Sequence, residues 1–392
     1  MAIKLSDRVQ RVKPSPTLAV TARAAELKAA GRDIIGLGAG EPDFDTPQHI
    51  KDAAINAINQ GLTKYTAVDG TASLKTAIID KFQRDNALNY TPEQILVSCG
   101  GKQSFYNLAQ ALLNDGDEVI IPAPYWVSYP DMVLLADATP VIIDTNITQN
   151  FKITPEQLEA AITPKTRLFV INSPSNPSGM AYSANELKAL AAVLVKYPNV
   201  LIATDDMYEH ILWSEESFTN IVMTNPELFE RSIVLNGVSK AYSMTGWRIG
   251  YAGGPADLIQ AMKKIQSQST SNPSSISQAA AEAALNGDQS CVSEMLKAFK
   301  QRHDMVVDSL NKIEGVRCLK GDGTFYAFAD FSEFMKRFSQ INNDIELAEF
   351  IIEKTGVALV PGSAFGNEGY MRLSFATSDE NLIEAIKRIS TL

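Results

Sequence analysis

Cysteine and histidine are both scarce in this 392-residue chain: three of one (Cys99, Cys291, Cys318) and three of the other (His49, His210, His303). The cysteines are scattered and odd in number. They offer neither a disulfide framework nor a thiolate metal site, and point to a reducing compartment. The histidines lie far apart without metal-ligand spacing, so no metal is expected. No stretch approaches the roughly 20 apolar residues of a membrane span, so no membrane partner is expected. Basic charge is not in excess: 35 Lys and Arg against 45 Asp and Glu give a formal net charge of −10. That argues against a nucleic-acid partner, although a local basic pocket for a small anion stays open. A Walker-type Gly-Lys-Ser/Thr and a Gly-x-Ser-x-Gly elbow are both missing, as are internal repeats. The opening residues Met1 to Arg8 are polar and lack the apolar core of a signal peptide, so a cytoplasmic location is the expectation.

What is present is an alternation of buried strands and helices. Lys13-Pro-Ser-Pro-Thr17 cannot be a helix interior, and residues 18–30 read as a helix stopped by Gly31. Ile34 to Leu37 reads as a short strand running into a loop of breakers, Gly38 to Pro47. From about residue 94, strands are predicted at 95–98, 118–122, 139–144, 167–172, 200–205, 232–235 and 247–252. Helices are predicted between them, including 102–113 and 125–136. Thr154 and Ser183 open helices as capping boxes. The strands are rich in Ile, Val and Leu without polar alternation, hence buried on both faces. The fold class is therefore α/β: a three-layer sandwich around a mainly parallel sheet, followed by a smaller α+β unit. The expected division is a large domain over 46–290, and a small domain from 1–45 together with 291–392, the N-terminal segment closing over the site.

Sheets of this kind bind ligands beyond the carboxyl ends of their strands. The residues predicted there are Gly100-Gly101-Lys102, Pro124-Tyr125-Trp126, Asn172 to Asn176, Asp205 with Tyr208, and Ser239-Lys240. A lone Ser-Lys pair is ordinarily a solvated turn. At a buried strand end, however, a lysine amine loses solvation, its pKa falls and it becomes a nucleophile toward an aldehyde. If Lys240 forms a Schiff base with a pyridine aldehyde, the ring nitrogen needs a buried carboxylate, and Asp205 is placed for that. Asn176 and Tyr208 could donate to a phenolic oxygen, and Trp126 could cover the ring. A phosphate could sit on the helix start at Gly101-Lys102, with the fork of Arg248 beside it.

These residues resemble a known family. Ala39-Gly-Glu-Pro-Asp-Phe-Asp-Thr-Pro47, Gly100-Gly-Lys-Gln103, Pro124-Tyr-Trp-Val-Ser-Tyr-Pro130, Asn172-Ser-Pro-Ser-Asn-Pro-Ser-Gly179, Asp205-Asp-Met-Tyr-Glu-His210 and Ser239 to Gly250 are similar to fold-type I pyridoxal-phosphate aminotransferases. With Lys13-Pro-Ser, Lys64-Tyr65 and Arg372-Leu-Ser they resemble, within that family, the bacterial class Ib aspartate aminotransferases. The resemblance implies pyridoxal 5'-phosphate as cofactor and Lys240 as both Schiff-base lysine and proton shuttle. It implies Asp205 as pyridinium partner, Tyr208 and Asn176 as phenolate ligands, and Trp126 as the stacked aromatic. Gly101, Lys102 and Arg248 match phosphate-loop positions. Tyr65 matches a tyrosine that reaches the neighbouring subunit's phosphate, which implies a homodimer with shared sites. Arg372 would clamp the substrate α-carboxylate beside Gly40 and Asn176. The distal carboxylate would meet Lys102 with Ser15 and Thr17. Lys13 leaves prephenate or an aromatic amino acid open as substrate. Pro16 and Asp206 depart from the family's usual small residue and glutamate. The implied reaction is transfer of the amino group of aspartate to 2-oxoglutarate by a ping-pong route. A lyase or a non-catalytic cofactor-binding regulator on the same scaffold is the remote alternative.

Overall fold

The computed structural model describes residues 3–392. Its centre is a seven-stranded sheet in the order Ile95–Ser98, Gly250–Gly253, Ser232–Gly237, Leu201–Asp205, Thr166–Asn172, Glu118–Pro122, Thr139–Ile143. The last five in this order run parallel. Gly250–Gly253 is antiparallel to both its neighbours. Successive side chains on a strand point to opposite faces, and two cores show this directly. Val97, Ile120, Phe169, Ile171, Ile202 and Val234 join one core. Leu96, Val119, Ile121, Val170, Ala203 and Leu235 join the other. Helices Ala72–Asn86, Ala184–Val195 and Ser275–Asn286 cover the first face; Gly101–Leu112, Ser128–Leu135 and Ala256–Ser267 cover the second. The arrangement is the three-layer α/β sandwich that the apolar strands predict.

A third core is built on a four-stranded antiparallel sheet, ordered Val360–Pro361, Tyr370–Ser374, Tyr326–Asp330, Arg317–Cys318. The helices Asp344–Thr355 and Asp379–Ser390 pack on it. Ile35 and Leu37 belong to this core, and Ile35–Gly36 pairs in parallel with Val357–Ala358. The helix Ser290–Leu310 spans two of these cores. Its Val292 packs in the first, while Met295, Phe299, Val306 and Leu310 pack in the third.

Local chemistry sets the element ends. Thr154 and Ser183 form complete capping boxes with Gln157 and Glu186. Pro16 occupies the first turn of the helix Pro16–Ala29, where its missing N–H costs nothing, so Thr17 is helical although Lys13 to Ser15 is not. The helix expected from Tyr125 starts only at Ser128: the Tyr129 amide donates to the Trp126 carbonyl (3.1 Å), three residues back, so no helical turn closes on Tyr125. The strand expected from Trp247 starts at Gly250. Thr245–Trp247 makes a single 3₁₀ turn, and Arg248 takes a left-handed φ of 58°. The stretch 357–360 is not one strand: Val357–Ala358 and Val360–Pro361 pair in different sheets on either side of Leu359.

Candidate active site

Parallel pairing puts the strand ends level. Asn172 is the register partner of Asp205, and Asp205 of Leu235. Lys240 follows the end of its strand at Gly237 by three residues. Its Nζ donates to the Gly40 carbonyl and lies 5.8 Å from the Phe325 ring centroid, with no carboxylate in contact. Burial, reinforced by the nearby Arg372 and Arg248 guanidiniums, lowers its pKa to about 8; Glu41 and Asp205 pull the other way.

Asp205 is held from beneath. Tyr129 donates its hydroxyl to one carboxylate oxygen, and the Met207 amide donates to the other at 3.2 Å. Burial pushes the carboxyl above its usual range, against the pull of Tyr129, Met207 and Lys240. Trp126 packs edge-on against Tyr129 with ring centroids 5.2 Å apart, and Lys102 Nζ lies 5.2 Å from the Trp126 ring. Desolvation and the Arg248 charge lower the Lys102 pKa.

Gly100 precedes the helix Gly101–Leu112 at φ +89°, and no side chain caps that helix. A Cβ on Gly100 would collide with the Arg248 guanidinium, and one on Gly250 with the Gly100–Gly101 backbone. Glycine at both positions lets a cation and bare N–H groups converge at one helix start. Arg248 is steadied by the carbonyls of Thr245 (2.9 Å) and Cys99 (3.3 Å).

Arg372 is 2% exposed. Its terminal nitrogens donate to Asn176 Oδ1 at 2.9 Å and the Gly38 carbonyl at 2.7 Å, while Nε has no partner among the described residues. The guanidinium is sandwiched between Tyr326 (4.4 Å) and Phe365 (4.8 Å). Burial lowers its pKa, opposed by the two tyrosines. Asn176 is itself fixed by its amide, which donates to Asn172 Oδ1 at 2.8 Å.

A polar network underlies the turn that carries Asp205 and Tyr208. Asp85, Glu209 and His210 converge there with a metal-like spacing, but the fully buried Lys81 supplies the cation. Lys81 pairs with Glu209 and donates to Asn86 at 2.8 Å. Asn86 and Asn236 donate to Glu209 at 2.9 and 2.7 Å. Burial alone would raise the Glu209 pKa; the charges of Lys81 and His210 hold it down to about 2.

The structure thus gathers Lys240, Asp205, Tyr208, Asn176, Gly40 and Arg372 about one cleft, with Trp126, Gly101, Lys102 and Arg248 at its flank. Tyr65 stands apart, 92% exposed on the outer surface. Ser15, Thr17 and Lys13 make no hydrogen bond to the cleft residues among the described residues. Lys13 instead lines a neighbouring cavity of about 880 Å³ with Tyr125, Val127 and Ser363, and Thr17 Oγ1 is buried without a partner. Sequence reasoning missed Tyr129, Tyr326 and Phe365. Tyr129 follows Trp126 by three residues and could have been found from that spacing. Tyr326 and Phe365 sit in apolar stretches that read as core.

A mainly parallel sheet with a desolvated lysine, a buried aspartate and a bare helix start at its carboxyl edge defines a fold-type I enzyme. The chain belongs to the class I and II aminotransferase family, whose model matches residues 32–389, and it is an aminotransferase. It is 65% identical, over all of both chains, to an aspartate/prephenate aminotransferase of Nitrosomonas europaea. It superposes on the aspartate aminotransferase of Rhizobium meliloti with a TM-score of 0.96 at 48% identity, covering 100% of this chain and 98% of that one. The aspartate aminotransferase of Thermus thermophilus with maleate gives 0.93 at 42%, covering all of both chains.

Proposed function

We propose that this aminotransferase transfers the amino group of L-aspartate to 2-oxoglutarate, giving oxaloacetate and L-glutamate, with pyridoxal 5'-phosphate as its cofactor. The cleft fits that group on its own terms. Asp205 is a half-buried carboxylate at the cleft floor, with no cation in contact among the described residues, suited to a protonated ring nitrogen. Lys240 is a half-buried amine bonded, among the described residues, to one carbonyl, suited to an aldehyde. The bare start of Gly101–Leu112 with Arg248 suits a phosphate. When bound, the cofactor supplies the aldehyde that exchanges amines and the ring that accepts the electron pair left by Cα–H cleavage.

The protein's own residues do the rest. Asp205 would keep a bound ring nitrogen protonated, and Tyr208 and Asn176 would donate to a ring oxygen. Arg372 fixes a carboxylate, and with it the direction of the Cα–H bond. Lys240, its pKa near 8, is poised to take and return that proton. The single observation that carries the substrate reading is the pair of cations: Arg372 with its unpartnered Nε, and Lys102 beside Trp126. Two cations suit a dicarboxylate, and the Thermus relative is named with maleate, which is one.

A second reading, prephenate as amino acceptor, is favoured by the name of the Nitrosomonas relative and by Lys13 on the adjacent cavity wall. A half-reaction screen tests the first reading, and substrate kinetics of a Lys13 variant test the second. Amino acids are added singly to the loaded enzyme, and loss of the cofactor's visible band is followed. Aspartate and glutamate should bleach it, and Lys240→Ala should show no turnover. Lys13→Ala should lower kcat/KM for prephenate by about tenfold while changing aspartate little, as expected for one lost charge contact. A colourless wild-type protein without transaminase activity would sink the proposal.

We further propose a homodimer located in the cytoplasm, with Tyr65 completing the neighbouring site. In support, Tyr65 is bare, and so are Ile55, Ile58 and Leu62 close by in sequence. We also propose residues 46–290 as one moving body and 1–45 with 291–392 as the other, with Ser15 and Thr17 closing on the substrate.

A further inference from the structure

Tyr208 and Tyr326 are 4% and 1% exposed, and their hydroxyls lie 3.0 Å apart. Tyr208 follows the strand Leu201–Asp205, whereas Tyr326 opens a strand of the second sheet, 118 residues later. This hydrogen bond therefore ties the turn after the large sheet's strand to the second sheet, inside a core that both side chains share. The Tyr326 hydroxyl also lies directly over Gly40, where a Cβ would stand 2.8 Å from it. Its ring supports the guanidinium of Arg372 at 4.4 Å.

Each phenolic hydroxyl has one proton to donate and lone pairs to accept with. Between two tyrosines alone, either can be the donor. Once an acceptor oxygen stands on the cleft side of Tyr208, the choice is settled. Tyr208 spends its proton on that oxygen and must accept from Tyr326. The Tyr326 hydroxyl has no other hydrogen-bond partner among the described residues, so its proton is free for this bond. A donor that itself accepts a hydrogen bond is polarised and donates more strongly.

We infer that Tyr326 is a positioning residue: its hydroxyl orients and strengthens the Tyr208 donor, and its ring braces Arg372. One side chain thereby links the group facing the cofactor to the group that holds the substrate carboxylate. The inference rests on the pyridoxal-phosphate reading. The charged and titratable groups around the pair are Arg372 from the second sheet, Asp205 from the strand end and Lys240 across the cleft; Lys240 in turn feels Glu41 and Arg248.

Tyr326→Phe removes the hydroxyl and keeps the ring; Tyr326→Leu removes both. The readouts are the pH midpoint of the bound cofactor's visible band and the dissociation constant of succinate, a non-reacting dicarboxylate. A weakened donor stabilises a ring oxyanion less, so the chromophore keeps its proton to higher pH. In Tyr326→Phe the midpoint should rise by roughly 0.2–0.6 pH unit, the share of a charge-assisted bond that such polarisation supplies. Succinate affinity should stay within about twofold, because the ring still faces the guanidinium. In Tyr326→Leu the midpoint should rise likewise, and succinate should bind at least about threefold more weakly. An unmoved or lowered midpoint in Tyr326→Phe overturns the inference, as does equal loss of succinate affinity in both variants. A wild-type protein that shows no visible band on adding pyridoxal phosphate overturns the cofactor reading itself, and the inference with it.

Discussion

Lys240 reaches its cleft without a carboxylate partner, and its charge is correspondingly disfavoured in the folded chain. The folded pKa, about 8, lies below the 10.5 of a free lysine. Between these values the unfolded chain binds a proton that the native chain does not, so stability rises with pH across that window. Below pH 8 the native state carries the unfavourable ammonium in full. The cofactor-free Lys240→Met variant should therefore melt above the cofactor-free wild type at pH 7, by about 1 °C per kcal/mol relieved. The gap should close above about pH 11, where both states of the wild type are largely neutral. A gap independent of pH, read from thermal melts over that range, would show that the amine is solvated after all. The same residue shows what a sequence carries at this scale. Its placement after a buried apolar strand announced a perturbed amine. Nothing near Tyr326 announced its bond to Tyr208, because that partner is distant in the chain and an aromatic in an apolar strand reads as core.

At the scale of elements, the start of the helix Gly101–Leu112 is the most constrained place in the cleft. Gly100 sits at φ +89°, a conformation costly to any residue with a Cβ. Gly100→Ala adds that strain to a collision with Arg248 and should lower stability by about 1–3 kcal/mol. It should also weaken pyridoxal phosphate more than phosphate-free pyridoxal, because the disturbed groups are those suited to an anion. Equal weakening of the two ligands, measured by titration, would place the phosphate elsewhere. Strand existence and strand ends were legible from apolar runs and breakers, and so were the capping boxes at Thr154 and Ser183. Strand direction was not. Gly250–Gly253 is as fully buried as its neighbours, yet it alone in the seven-stranded sheet is antiparallel, since burial has no sense of direction. The start of that strand slipped for a related reason. Trp247 and Ile249 look strand-like, but Arg248 between them turns left-handed to reach two carbonyls.

For the whole molecule, the proposed pairing is the property a single chain does not display. Sedimentation equilibrium should give twice the 42.7 kDa chain mass. Tyr65→Ala should leave the pair intact and weaken pyridoxal phosphate by about tenfold, the effect of one lost hydrogen bond to a charged group. A fully active monomer would end the proposal. One feature of the single chain has a mechanical consequence. The helix Ser290–Leu310 runs 21 residues, about 30 Å at 1.5 Å per residue. Val292 fixes it in one core, and Met295 to Leu310 grip the other. On the proposed division into two moving bodies, it would be a lever with a short arm and a long one. A tilt of about 10° at the short end would carry the far end through about 5 Å. Arg372 and Tyr326, in the sheet the long arm packs on, would move with it relative to Lys240. The aperture between amine and guanidinium would then be governed by an angle set near Val292, remote from any atom that touches substrate.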